Sequence, residues 1–264
     1  MPRPKKWLGA IGGKIGFGLL LSLITPLSFM VPVFKRRKKN DTLGRPAFTR
    51  SIQKVRRMLE EVTRRGWRQF YLPANTESVE EHISGTISIG LELANEESLP
   101  LRDARRAVKM TEVHELIESL KGKDKPLIDT RLMPRSKAGR IQYQNTEWVP
   151  PTWEDEKKRL RSEFEEAEPL LQEWLEANFT DSVGREEVLE LLKDFYYVRG
   201  RAAELFHEAH ALQPAEKATL LHIEDPNKLP KEAVYPFFRR AENLIRSSSA
   251  KRYLQRLKDA LESS

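Results

Sequence analysis

Apolar positions recur along most of this chain with the period of a helix, and no clean strand-like alternation interrupts them. Ile52, Val55, Leu59 and Val62 fall at i, i+3, i+7 and i+10, which predicts an amphipathic helix ended by Gly66. Ser78 with Glu81 three residues later is a capping box, so a helix is predicted from there to about Ala94. Leu101–Leu120 carries a third helix, stopped by Gly122. Leu160, Phe164, Ala167 and Leu171 place another at about 154–178. Val188–Ala211 reads as helical too, as does Tyr235–Leu261 with a break at Ser247–Ser249. Residues 124–152 are rich in Pro, Lys, Arg and Gly without periodicity and read as a long loop or insertion. The predicted fold class is all-α.

The first 40 residues follow a different pattern. Ile15–Phe34 is a run of 20 residues without a charge, flanked by Arg3, Lys5, Lys6 and Lys14 and by the cluster Lys35–Lys39. That length can span a bilayer. Pro26 and Pro32 disfavour a water-soluble helix there but are tolerated inside membranes. Three readings stand: a single membrane anchor, a basic organelle-targeting segment of mitochondrial type, and a cleaved secretory signal. The last fits least, since the run is long and lacks a small-x-small cleavage site. The denser basic cluster at 35–39 favours a globular part on the cytosolic side of any membrane, with residues 1–40 in contact with lipid. Residues 41–264 then form the folded domain.

Charge sharpens this division. The chain has 264 residues and a formal net charge of +7. Residues 1–40 hold nine Lys/Arg and no acid, whereas 41–264 hold 37 Lys/Arg against 39 Asp/Glu, a net of −2. The basicity belongs to the tail, and a general nucleic-acid surface is not expected. Cys is absent, which excludes disulfides, thiolate metal sites and cysteine nucleophiles.

Candidate chemistry centres on histidine, of which there are only five. His82 ends the stretch Glu77-Ser-Val-Glu-Glu-His82, and His114 opens His114-Glu115-Leu-Ile-Glu118. On one helix, residues three and four apart share a face, so Glu118 falls near both His114 and Glu115. Imidazoles and carboxylates from two helices are what a divalent ion needs to act on a phosphate ester. His207-Glu-Ala-His210 lacks a metalloprotease pattern, and His207 reads as a packing or surface residue. Gly12-Gly-Lys-Ile-Gly16 lacks the spacing of a phosphate-binding loop.

Arg64-Arg-Gly-Trp67, the stretch ending at His82, and Arg105 through Glu118 with Gly122 together resemble the HD-domain hydrolases, most closely the 5′-deoxynucleotidases. The resemblance covers about residues 48–123 and continues weakly beyond. It implies an HD-type helical bundle, one divalent metal, and hydrolysis of the 5′-phosphate of (deoxy)nucleoside monophosphates. Carried over by motif, His82 and His114 are metal ligands and Glu118 handles the attacking water. Trp67 borders the nucleotide, and Arg64 or Arg65 contacts its phosphate. Homodimers are also common in that family.

Three positions depart from the pattern. The His-Asp pair is His114-Glu115 here, and the Asp after the glycine is replaced by Lys123, with Asp124 one residue late. The last metal Asp aligns with His210; Glu224, Asp225 and Glu242 are the alternatives. A set of His82, His114, Glu115 and His210 suits zinc, manganese or cobalt better than magnesium, because it carries a single negative charge. A second reading is a catalytically silent HD-fold binding or scaffold protein at a membrane.

Overall fold

The computed structural model describes residues 76–121 and 149–264, together with Ile52, Val55, Leu59 and Trp67, all within the unit Arg45–Ser264. The apolar run 15–34, Arg64, Arg65, Lys123 and most of the expected insertion at 124–152 lie outside the described residues. Ile52, Val55 and Leu59 are helical and buried, as their spacing predicts. Among the described residues there are eight continuous helices and no strands: α1 (Val79–Glu96), α2 (Leu101–Val113), α3 (Glu115–Lys121), α4 (Trp153–Asn178), α5 (Ser182–Tyr196), α6 (Gly200–Glu224), α7 (Lys231–Leu244) and α8 (Ser248–Glu262). The described part is all-α, and none of these helices is long and apolar enough to cross a membrane.

Helix starts follow local chemistry. Ser78 accepts from the Glu81 backbone while the Glu81 carboxylate accepts from the Ser78 N–H, so the predicted capping box is formed. Thr152 and Asp155 do the same at α4, Asp181 caps α5, and Ser247 caps α8.

Helix α6 runs through the middle. Its buried residues lie on every side, from Ala203, Phe206 and His207 to Gln213, Ala215 and His222, as expected of a core helix. It packs against α1, α2, α5, α7 and α8. The approach of α1 is close because of two glycines. A Cβ at Gly90 would lie 2.6 Å from Phe206 Cε1, and one at Gly85 would lie 3.0 Å from Gln213 Cγ. This close crossing brings the start of α1 to the middle of α6.

Two predicted helices are divided. Leu101–Leu120 is interrupted at His114, separating α2 from α3. Val188–Ala211 is divided between α5 and α6, where Val198 (φ 50°) and Gly200 (φ 83°) both take left-handed backbone angles. Helix α6 also continues past Ala211 through Pro214 to Glu224. Proline lacks an N–H, so the His210 carbonyl, four residues earlier, loses its ordinary helical donor.

Candidate metal centre

His82, His114, Glu115 and His210 converge, each offering a ligand atom within 4.8 Å of the others. They come from three places: the first turn of α1, the α2–α3 junction and the middle of α6. The imidazole centroids are 5.9 Å apart for His82–His114, 4.9 Å for His82–His210 and 5.2 Å for His114–His210. His82, His114 and Glu115 are buried and His210 is half-buried. Glu115 Oε1 lies 3.3 Å from His82 Nε2 and 3.1 Å from His114 Nε2.

Each buried ring is oriented from behind. His114 Nδ1 lies 2.6 Å from the Thr111 carbonyl, an acceptor only, so Nδ1 carries the proton. In an uninterrupted helix that carbonyl would receive the Glu115 N–H, and the interruption at His114 leaves it to the ring. The His114 carbonyl accepts from the Tyr196 hydroxyl at 2.9 Å. Burial, followed by the negative charges of Glu118, Glu163 and Glu115, pushes that hydroxyl well above the ordinary tyrosine range. His82 Nδ1 lies 2.5 Å from Gln213 Oε1, and Gln213 Nε2 donates to Glu77 Oε1 at 2.5 Å. The other Glu77 oxygen accepts from Trp67 Nε1 at 2.9 Å.

A divalent ion fits this arrangement. With its proton on Nδ1, His114 presents a bare lone pair at Nε2; that atom has no hydrogen-bond partner, and a carboxylate oxygen faces it at 3.1 Å. Two buried acceptors facing each other are stabilised when a proton or a metal cation lies between them. Ligands bound at about 2.1 Å can be at most about 4.2 Å apart. A spread reaching 4.8 Å therefore closes with side-chain movement of less than an ångström. Three imidazoles and one carboxylate match the donor preference of a transition ion.

The remaining predicted site residues divide as follows. Glu118 is half-buried on α3, one turn beyond Glu115, and its charge reaches Arg159 and Tyr196. Trp67 is a core residue at 3% exposure, stacked on Phe237 with ring centroids 5.3 Å apart. Among the alternatives for the fourth ligand, Glu224 and Asp225 end α6, and Glu242 pairs with Lys258. His207 is a packing residue: its Nε2 donates to the Phe195 carbonyl at 2.7 Å, and burial holds its imidazole down at about 4. Sequence reasoning missed Gln213, Glu77 as a buried carboxylate and Tyr196, because each acts through a contact with a distant part of the chain.

No family model and no curated protein matches the chain. Among solved structures, a conserved hypothetical protein from Pyrococcus furiosus is similar, at 16% identity and a TM-score of 0.47, covering 81% of this chain and 99% of that one.

Proposed function

We propose that the chain is a metal-dependent phosphohydrolase of HD type, acting on the 5′-phosphate of (deoxy)nucleoside monophosphates. The observation that carries this reading is the convergence of His82, His114, Glu115 and His210 from separate helices. The order of the Trp67, His82, His114 and Glu118 motifs in the sequence supports it. These four residues hold the ion, which supplies Lewis acidity toward a phosphate ester and its attacking water. Glu118, one turn beyond Glu115, holds the proton taken from that water. Arg64 and Arg65 neutralise the phosphate. With one carboxylate among four ligands, zinc, manganese or cobalt is favoured over magnesium.

One observation favours a second reading. Four protein side chains would fill a four-coordinate zinc shell, as in structural sites that keep no position open for substrate. On that reading the protein is a silent HD-type binding or scaffold module. Full-length protein incubated with deoxynucleoside monophosphates and each of Zn²⁺, Mn²⁺, Co²⁺ and Mg²⁺ separates the two. The hydrolase reading expects phosphate release that His114→Ala abolishes. Stoichiometric metal on elemental analysis, with no release across ions and nucleotides, selects the silent module.

A further inference from the structure

We infer that Glu77 and Gln213 are positioning residues that set which nitrogen of His82 carries the proton, with Trp67 fixing the direction of the relay. This rests on the metal reading of His82, and it follows from the polarity of three bonds. An indole N–H can only donate and an ionised carboxylate can only accept, so Trp67 Nε1 donates to Glu77 Oε2. The other Glu77 oxygen must likewise receive a donor, which is the amide nitrogen of Gln213. That fixes the two-sided Gln213 amide with its oxygen toward His82. His82 Nδ1 is then held as the donor, and Nε2 points at Glu115 Oε1, 3.3 Å away, as a lone pair.

A glutamine alone could not do this. Its oxygen and nitrogen are nearly the same size, and a turned amide would offer N–H to Nδ1 and drive the proton onto Nε2, the nitrogen that must meet the metal. The carboxylate removes that choice. Its burial strengthens the effect, since Glu77 is 1% exposed and Gln213 is 4% exposed, so water does not compete for the bonds. Gly85 completes the relay from the other side: an added Cβ would stand 3.0 Å from Gln213 Cγ and 3.3 Å from its Nε2. The glycine leaves room for the glutamine to lie along α1 at the height of His82. His114 needs no such device, because a backbone carbonyl already orients it.

The relay makes a polarity-inversion test available. In Glu77→Gln, Trp67 holds the new carbonyl oxygen, so the new amide nitrogen faces the nitrogen of Gln213 and forces that amide to turn. In full-length protein labelled with nitrogen-15 at histidine, long-range proton–nitrogen spectra of the metal-free state read the His82 tautomer directly. Wild type is expected to carry the proton on Nδ1, and Glu77→Gln to shift it to Nε2. Competition with a chromophoric chelator should show zinc affinity falling about 10- to 100-fold in the variant. Adding Trp67→Phe frees the new amide to turn, and the Nδ1 proton should return. Gly85→Ala presses on Gln213 with the carboxylate intact and should disturb the tautomer as well. An unchanged tautomer in Glu77→Gln overturns the relay, and if that variant does not fold, an unchanged tautomer in Gly85→Ala overturns it. If wild type takes up no zinc, the metal reading fails while the tautomer comparison still decides the relay.

Discussion

His114 Nε2 stands 3.1 Å from Oε1 of its sequence neighbour Glu115, both side chains are buried, and no hydrogen bond joins the two atoms. Neighbours on a helix point about 100° apart, so aiming both at one point depends on how the α2–α3 junction is held. Tyr196 holds it from α5 through its hydroxyl on the His114 carbonyl. Tyr196→Phe leaves that buried carbonyl without the donor, an expected loss of about 1–3 kcal/mol in urea unfolding. Zinc affinity should fall with it. A stability loss with unchanged affinity would show that the junction keeps its aim without the hydroxyl.

Metal removal gives a simpler measurement. An ion that binds the folded chain at 100 times its dissociation constant adds about 2.7 kcal/mol of stability. Zinc should therefore raise the thermal midpoint of the wild-type protein, and a chelator should reverse the change. In His114→Ala, which removes one of the four candidate ligands, the same zinc concentration should have little effect. An equal rise in that variant would place the ion elsewhere.

Glu156 gives an acid-side signature outside the four candidate ligands. Burial would raise its carboxyl, but the guanidinium groups of Arg240 and Arg159 outweigh burial and hold it at about 2. A carboxyl depressed from 4.5 to about 2 stabilises the fold above pH 4.5, and that contribution is lost as pH falls toward 2. At 1.36 kcal/mol per unit it amounts to about 3 kcal/mol. Glu156→Gln should flatten this limb of the stability profile in urea melts. It should also destabilise the protein near neutrality by about 3–5 kcal/mol, because Arg240 stays buried without the carboxylate. A variant that keeps the wild-type acid limb would assign the limb to other carboxylates.

Elements governed by local chemistry were legible in the sequence. The Ser78–Glu81 box starts α1 as predicted, and the predicted break at Ser247–Ser249 is where α8 takes its cap. His82, His114, Glu115 and His210 were named through the motif resemblance, with Glu224, Asp225 and Glu242 as alternatives to His210, and these four side chains converge. What failed to show depends on tertiary contacts. Nothing near His114 breaks helical periodicity, and the hydroxyl at the interruption comes from Tyr196 on another helix. Pro214 suggests a helix end near Ala211, yet burial on all sides carries α6 through it. Gln213 shows no motif, and its role exists only because Gly85 lets α1 come close enough for contact.

His207 is a packing residue beside a candidate ligand on α6, since it lies one turn before His210 but donates to the Phe195 carbonyl. Its ring also packs at a tilt against Phe195, with centroids 4.1 Å apart, and Phe195 in turn meets His114 at 4.6 Å. Burial holds the folded-state value at about 4, below the ordinary 6.5, so between these values the unfolded chain binds the proton and the folded chain does not. Stability should therefore decline as pH falls from 6.5 to 4, by up to about 3 kcal/mol from this residue alone. His207→Gln keeps a donor for the carbonyl and removes the titration, so the wild-type decline should shrink by roughly that amount in urea melts on metal-free protein. An identical decline in both proteins would mean that His207 is not the residue kept neutral by the core.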